Sequence, residues 1–450
     1  MNSRTDLLNG SILKSLVAMS LPIMATSLLQ MAYNMTDMIW IGKVGSNSVA
    51  AVGAAGMFVN LSAGLTAFLR VGAQVNAAQS YGAGNKELAA RYARNALQIG
   101  VLVSLIYSVI VCTFKKPFIS FFRFTNSEVI HDAETYLLIM AIFILFNILN
   151  PIFTAIITAT GNSKTPFKIS TVGLLINLVL DPVLIFGIGH IKPMGVFGAA
   201  AATVFAQFIV FLLYVAYMKK DELVFSKMNF KEPLEKELIS KIVKIGLPST
   251  IQAVMFNGIS MTIGRIIASW GETAIAVQKV GIQVESISYM AAEGFAAATN
   301  SFIAQNYGAK QFERSKKGYT TALKVMMLWG AFTTCVLVFF APQIFKIFIS
   351  EPDVVLLGAD YLRILGYSQL FMCIEILTAG AFSAYGKTTP PSVVSIIFTS
   401  MRIPMSIIFG KTSLGINGVW LSISLSSVFK GIILLSLFIA FMKKFQKEGK

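Results

Sequence analysis

The sequence Gln79-Ser80-Tyr81-Gly82-Ala83 recurs 226 positions later as Gln305-Asn306-Tyr307-Gly308-Ala309. Two further matches have the same shift: Leu21-Pro22 with Leu247-Pro248, and Gly45 with Gly271. The shift is close to half of the 450 residues, which indicates a duplicated half rather than a short solenoid repeat. The chain is therefore expected to contain two related halves.

The composition indicates an integral membrane protein. Hydrophobic residues make up 55% of the chain and charged residues only 13%, which is not typical of a soluble globular protein. Apolar segments long enough to cross a bilayer as helices recur from end to end. We predict twelve spans, six in each half: 15–40, 49–75, 92–113, 134–159, 166–188, 196–218, 240–267, 276–303, 318–341, 358–384, 391–410 and 416–442.

The predicted fold class is thus all-α integral membrane, with twelve helices in two six-helix lobes. The first lobe is expected at 1–218, a cytoplasmic linker at 219–239 and the second lobe at 240–450. Duplicated membrane bundles usually place a transport site between or within their halves.

The net charge of +16 is distributed as in a membrane protein. About 23 of the 37 Lys and Arg lie on the side of the termini and alternate loops, against roughly 8 on the other side. The positive-inside rule therefore predicts a multi-pass protein of the cell membrane with both termini in the cytoplasm. A nucleic-acid partner is not expected, because that would require basic residues clustered on a water-soluble face.

The sequence contains no pattern typical of a cofactor site. Cys112, Cys335 and Cys373 are an odd number in or beside spans, and His131 and His190 are isolated near outer loops. The glycines of the repeated QxYGA segments are expected to allow a tight turn after each helix. These segments lack the GK[ST] ending of a phosphate-binding loop, and no Walker pattern is present elsewhere. Paired Asp-rich motifs and histidine–glutamate metal motifs are also absent, so an enzyme is not expected.

The first predicted span has a polar stripe. Its members follow spacings of three and four and share one helix face: Thr26, Gln30, Tyr33, Asn34 and Asp37. A carboxylate at membrane depth costs several kcal/mol unless it faces a cavity, a partner or an ion. Asp37 is therefore a candidate functional residue, and Gln30 and Asn34 are candidates for substrate contact.

The fifth and sixth spans add oxygen-bearing side chains. Asn177 and Asp181 are four residues apart on one face of the fifth, and Thr203 lies among small residues in the sixth. Such oxygen atoms suit Na⁺, and the acids can also exchange protons. Alternatively, Asp37 and Asp181 lie at the headgroup level of one leaflet. The second half has Ile263 at the position equivalent to Asp37, so this chemistry is expected only in the first half.

The second half has its own acids within spans. Glu285 and Glu293 lie in the eighth span and Glu375 in the tenth, with Asn257 as a polar neighbour in the seventh. These residues contact a cationic drug or a second ion, or they pair with basic side chains of the same half. The basic candidates are Arg265, Arg363 and Arg402.

The sequence resembles the multidrug and toxic compound extrusion (MATE) transporters over essentially its whole length. The resemblance rests on twelve spans in two halves, on Leu-Pro opening the first and seventh, and on QSYGAG and QNYGAK after the second and eighth. The segments GNSKTP at 161–166 and GKTTPP at 386–391 also resemble the loops of that family. These ordered pairs of segments agree, although no single motif is diagnostic.

The resemblance implies cation-coupled export of amphiphilic organic cations by alternating access. It also implies a coupling site in the first lobe for H⁺ or Na⁺. The matching residues are Pro22, Tyr33, Asp37, Asn177, Asp181 and Thr203, with Pro22 as the point where the first helix bends and Asp37, Asn177 and Asp181 as the Na⁺ ligands.

The chain departs from the family pattern at three places. Asn147 and Asn150 are near the asparagines of the fourth helix but out of register, and Asn150 is kept as a coupling candidate. The glutamate of the seventh helix has no counterpart beyond Asn257, and the aspartate of the tenth is matched at best by Glu375. These departures favour coupling in the first lobe and leave a mixed arrangement open.

We therefore predict an antiporter that exports organic cations, works as a monomer in the bilayer and needs no cofactor beyond the coupling H⁺ or Na⁺. Two alternatives remain open: a flippase for a lipid-linked precursor, which related two-lobe folds also perform, and a channel. The spans contain few basic residues for a phosphate-bearing cargo, which favours the antiporter over the flippase.

Overall fold

The computed structural model describes residues 4–189, 191–221, 224, 226, 228–349 and 351–448, without the side chains of residue 63 and residues 446–448. His190 and part of the expected linker at 219–239 lie outside the described residues.

The described residues form sixteen α-helices. The first half contains α1 (Ile12–Val44), α2 (Ser46–Gly82), α3 (Lys86–Ser120), α4 (Ser127–Ile142), α5 (Ile144–Ala159), α6 (Lys164–Phe186) and α7 (Gly195–Lys220). The second half contains α8 (Lys236–Ala268), α9 (Glu272–Gly308), α10 (Phe312–Phe339), α11 (Ala341–Lys346), α12 (Pro352–Gly366), α13 (Gln369–Ala384), α14 (Thr389–Ser400), α15 (Arg402–Gly410) and α16 (Ile416–Glu448).

The predicted spans all fall on helices. Within the described chain, nine helices are long and apolar enough to cross a membrane, or eleven when two bent helix pairs are each counted as one span. The remaining predicted span, 276–303, lies in α9, which has 37 residues and is long enough to cross. Four charged side chains make α9 less apolar than the others: Glu272, Lys279, Glu285 and Glu293.

Several spans that were predicted as continuous helices are bent, and the bends recur in both halves. The fourth span turns by 50° between α4 and α5, and the tenth turns by 46° between α12 and α13. Helix α3 leaves helical geometry at Phe114, one residue after the predicted third span, and α10 ends before Phe340, 226 positions later. Pro117 and Pro342 follow these two residues, and each removes one helical hydrogen bond from the preceding turn.

The residues divide into two compact units. Unit 1 contains Met1–Thr5 and Ala25–Thr250, and unit 2 contains Asp6–Met24 and Ile251–Lys450. The boundaries within α1 and α8 are 226 positions apart, and each lies two residues after a proline, Pro22 or Pro248. The unit boundaries differ from the lobe limits expected from the sequence, because each of these helices contributes its two ends to different units. The lobes at 1–218 and 240–450 stay a prediction.

In unit 1 the N-terminal part of α8 packs closely on α2. A methyl group added at Gly72 would lie 2.3 Å from the carbonyl oxygen of Ile242, and one added at Gly246 would lie 2.1 Å from that of Phe68. Only glycine allows the two backbones to approach so closely. The same unit contains a buried core that includes Leu69 and Ala73 of α2.

A cluster of charges attaches the segment before α8 to α3. Glu235 forms ion pairs with Arg91 and Arg94, and the buried Arg94 also pairs with Glu232. Asn95 accepts a hydrogen bond from the backbone N–H of Glu235 at 2.8 Å. The hydrogen bonds from Arg91 hold the pKa of Glu235 below its ordinary value.

Glycine geometry at the repeated segments differs in part from the sequence interpretation. Gly45 and Gly271 precede α2 and α9 with φ of 151° and 100°, a region that favours glycine. The glycines of the QxYGA segments were expected to form the turn after each helix, but Gly82 and Gly308 are the last residues of α2 and α9. The residues with positive φ come two positions later: Gly84 and Lys310.

We predict that Gly72→Ala destabilises the protein by about 1–3 kcal/mol, because the added methyl group overlaps a backbone oxygen that cannot rotate away. Gly64→Ala is the matched control in α2, since its methyl group would meet no atom within 4 Å. The control should raise stability slightly, because alanine favours helix over glycine. Thermal unfolding of the purified proteins in detergent measures both, and equal effects would contradict the close packing.

Stability should also depend on pH through Glu235. Because its folded-state pKa is lowered from 4.5, its contribution is complete above that value and is lost as the pH falls through the folded-state pKa. We expect Glu235→Gln to reduce the loss of melting temperature between pH 6 and about pH 3. The control is Glu237→Gln, which removes an exposed pair with Lys241 and should change the profile little. Identical profiles for wild type and Glu235→Gln would contradict the prediction.

Candidate functional site

Helix α6 supplies a buried polar pair of unit 1. Asn177 and Asp181 are only 2% and 1% exposed, and one helical turn separates them. The side-chain amide of Asn177 donates a hydrogen bond to Oδ1 of Asp181 at 2.9 Å. This bond fixes the orientation of the carboxyl group and directs the amide oxygen of Asn177 elsewhere.

Helix α1 brings two residues of its polar stripe to this pair. The carboxyl groups of Asp37 and Asp181 lie within hydrogen-bonding reach of each other. The hydroxyl of Tyr33 lies 3.5 Å from that of Thr203 on α7. Tyr136 of α4, which the sequence interpretation missed, is close enough to interact electrostatically with both acids. The structure therefore brings together five of the predicted coupling residues.

The site is rich in acceptors and poor in donors. Oδ1 of Asp37 and Oδ1 of Asn177 are buried and have no hydrogen-bond partner among the described residues. The ion pairs found in the described chain involve neither Asp37 nor Asp181. Two carboxylates at this separation repel each other strongly in a low dielectric unless a proton or a cation lies between them. The carboxyl and amide oxygen atoms of this site thus suit H⁺ or Na⁺ as a ligand.

Asn150 does not join this site through a hydrogen bond that the structure describes. It is buried on α5 and donates to Gln207 of α7, at 3.0 Å to the carbonyl oxygen and 2.8 Å to the side-chain oxygen. Gln207 lies one helical turn after Thr203, which places Asn150 near the next level of α7. Its role in coupling stays a prediction.

Three further candidates lie on α1. Gln30 and Asn34 are exposed, and the Gln30 amide donates to Asn34 at 3.1 Å. Pro22 lies in the part of α1 that belongs to unit 2, whereas Asp37 belongs to unit 1.

In unit 2, Glu375 has a partner that the sequence interpretation did not identify. Lys430 of α16 forms an ion pair with it at 2.8 Å, and both residues are buried. Of the three arginines considered, Arg363 pairs with Asp360 at 3.6 Å. Lys430 could have been recognised as a candidate, since it is a lysine within the apolar twelfth span and such a charge requires a partner.

A second acid of unit 2 lies near the same charges. Glu285 lies close to Tyr361, Gln369 and Arg402. Arg402 is buried and donates to the hydroxyl groups of Ser426 and Ser427, at 2.5 and 3.3 Å. Arg402 also interacts electrostatically with Glu375, so two acids and two bases form one cluster of balanced charge.

The remaining candidates of unit 2 lie apart from this cluster. Asn257 is exposed and donates to the carbonyl oxygen of Ala253 at 3.0 Å. Glu293 is exposed and accepts a hydrogen bond from the hydroxyl of Tyr289 at 2.7 Å.

Comparisons with known proteins agree with this architecture. The MatE family model matches residues 22–183 and again 248–408, so each match begins at one of the two equivalent prolines. The chain is 26% identical over 437 residues to a probable multidrug resistance protein, NorM, of Thermotoga maritima, covering 95% of this chain and 92% of that protein. It is 25% identical over 437 residues to an FAD transporter of Shewanella oneidensis, covering 96% and 95%.

A solved structure described as MATE in the bent conformation superposes with a TM-score of 0.90 at 24% identity, covering 98% of both chains. This similarity confirms the predicted all-α, two-lobe membrane fold. With family matches in both halves, relatives along nearly the whole length and a shared fold, the chain belongs to the MatE family of membrane transporters.

Proposed function

We propose that this transporter is an antiporter that exports amphiphilic organic cations from the cytoplasm in exchange for H⁺ or Na⁺. In this proposal it works by alternating access, as a monomer in the cell membrane with both termini in the cytoplasm. The observation that carries the proposal is the contact between Asp37 and Asp181, two acids with no basic partner in the described chain.

The acid pair supplies a reason for coupling to an ion. Without a cation, two adjacent carboxylates repel each other and favour separation of α1 from α6. A proton shared between them, or Na⁺ held by Asp37, Asn177 and Asp181, reverses this preference. The ion thereby binds one arrangement of α1 more tightly than the other, as a shift in conformational equilibrium requires. Pro22 gives α1 a place to bend, because the helix lacks one hydrogen bond there.

The buried acids of unit 2 do not need an external ion to compensate their charge. Glu375 has Lys430, and Glu285 lies near Arg402, so its buried acids are compensated from within the chain. A cation from solution would have to compete with an ammonium group that is covalently attached to the protein. This difference supports coupling in unit 1 alone rather than the mixed arrangement.

The names of the relatives support drug export and widen the range of cargo to consider. The Thermotoga maritima relative is named as a multidrug resistance protein, whereas the Shewanella oneidensis relative is named as a transporter of FAD, which carries phosphate groups. The lipid-precursor flippase is less well supported, because neither relative is named as one. We therefore propose organic cations as the cargo and treat an anionic cargo as an outcome of the test below.

The coupling site predicts a specific effect of Asp37→Asn. In proteoliposomes with an imposed Na⁺ or pH gradient, wild type should export ethidium in response to one gradient. Asp37→Asn and Asp181→Asn should lose most gradient-driven export, because each variant cancels one charge of the pair and no ion is needed to neutralise it. Melting temperature in detergent should change little or rise, since the repulsion between the carboxylates is removed.

Asp360→Asn serves as the matched control, because it makes the same substitution at an exposed acid that pairs with Arg363. Its export should equal that of wild type. Retained coupling in both acid variants would reject this site. Absence of gradient-driven ethidium export in wild type, with export of FAD instead, would reject organic cations as the cargo.

The charge-balanced cluster of unit 2 predicts rescue by a double substitution. Lys430→Met should destabilise the protein by about 3–5 kcal/mol, because it leaves a buried carboxylate without its ammonium partner. Lys430→Met combined with Glu375→Gln should recover most of that stability in thermal unfolding. The double variant should also keep its response to the ion gradient. Loss of this response in the folded double variant would place coupling in unit 2.

A further inference from the structure

The segment at 6–10, which precedes α1, is held on unit 2 by one arginine of α10. The guanidinium group of Arg314 donates hydrogen bonds to three backbone carbonyl oxygens of this segment. The acceptors are Leu7 at 3.3 Å, and Asn9 and Gly10 at 3.0 Å each. A guanidinium group can reach several acceptors at once because its N–H groups lie in a fixed planar arrangement. One side chain thus fixes the path of the backbone into α1.

Further contacts strengthen this attachment. The side-chain amide of Asn306 on α9 donates to the carbonyl oxygen of Leu7 at 3.0 Å, and Leu7 itself is only 1% exposed. The guanidinium carbon of Arg314 lies 5.3 Å from the ring centroid of the buried Phe302, which is within the range of a cation–π interaction. The segment therefore anchors the start of α1 to both α9 and α10.

The anchor is continuous with α1. The hydroxyl of Ser15, in the first turn of α1, donates to the carbonyl oxygen of Asp6 at 3.0 Å. From there α1 runs as one helix of 33 residues, which is about 50 Å long. Fixing one end of such a helix limits sliding and rotation of the rest, apart from the bend that Pro22 allows.

The anchor and the acid pair lie at opposite ends of this helix. The part of α1 up to Met24 belongs to unit 2, and the part from Ala25 onward, which contains Asp37, belongs to unit 1. Pro22 lies between the anchor and Asp37. The position of Asp37 therefore depends on how firmly the first part of α1 is held.

The second half anchors its own first helix by an arginine as well, but with different residues. Glu235, just before α8, pairs with Arg91 and Arg94 of α3. Helices α3 and α10 begin 226 positions apart, yet Leu88 stands at the position equivalent to Arg314. Both halves thus have the attachment, although the duplication does not match the side chains that make it. This independence indicates that the attachment itself matters to the protein.

We propose that Arg314 is a positioning residue for ion binding, because it anchors the start of α1 and so keeps Asp37 within reach of Asp181. The proposal rests on the coupling site of the proposed function. With the start of α1 fixed, bending at Pro22 is the main movement by which Asp37 can leave Asp181. Without the anchor the whole helix can shift, so that repulsion separates the two carboxylates more readily and the site is less preorganised for H⁺ or Na⁺.

Thermal unfolding of the purified full-length protein in detergent measures ion binding apart from transport, because a ligand that binds the folded state raises the melting temperature. The melting temperature is recorded against Na⁺ concentration, with K⁺ keeping the ionic strength constant, and against pH. The part of the response that Asp37→Asn removes belongs to the ion site. In Arg314→Ala this part should move to an ion concentration about fivefold higher or more, because a less organised site binds the ion more weakly.

Lys317→Ala is the matched control, since Lys317 is an exposed cation three positions later on α10. Within the described structure, the side-chain hydrogen bonds to the carbonyl oxygens of the segment come from Arg314, Asn306 and Ser15. This control should have the ion dependence of wild type. Arg314→Lys should shift the ion dependence less than Arg314→Ala, because lysine keeps the charge but not the planar set of donors. It also carries the test if Arg314→Ala does not fold.

A merely structural role of Arg314 would lower the melting temperature of the variant at every ion concentration and leave its ion dependence unchanged. That result, beside a wild type that responds to the ion, would overturn the positioning role alone. A wild type without any response that Asp37→Asn removes would reject the ion site itself, and with it this role of Arg314. An equal shift in Lys317→Ala would also overturn the proposal, since it would trace the effect to surface charge.

Discussion

The low dielectric of the membrane interior requires every buried charge to have a partner, and the approach of Asp37 to Asp181 shows this constraint most directly. Neither acid forms an ion pair with a described residue, and we propose that a proton or a small cation compensates them. The side chains around them follow from that requirement. Asn177 orients one carboxyl group, and the tyrosines and Thr203 surround the pair with hydroxyl groups.

Unit 2 meets the same constraint in the opposite way. Its acids lie beside Lys430 and Arg402, and these bases belong to the chain itself. A duplicated scaffold can differ in this manner because helix packing depends on apolar surfaces and close backbone contacts, whereas the charge at one position depends on a single side chain. The end of α16 shows the same independence, since AFMKKF at 440–445 has Phe445 where AYMKKD at 216–221 has Asp221.

Part of the candidate site could be predicted because helical periodicity is local. The spacings among Tyr33, Asn34 and Asp37, and between Asn177 and Asp181, define helix faces without any knowledge of neighbours. The ion pair between Glu375 and Lys430 could not be derived in this way, because 55 residues separate its members in the chain. The same holds for Asn150, whose partner Gln207 is on another helix.

By itself, the sequence determined the membrane environment, the twelve helical segments, the duplication and the polar faces of α1 and α6, since these follow from composition and from periods of a few residues. Only the tertiary structure decided where the spans bend, which acids meet and which are neutralised by the chain. Those outcomes depend on contacts between distant segments, and in a low dielectric the presence or absence of one such contact decides whether an acid needs an external ion.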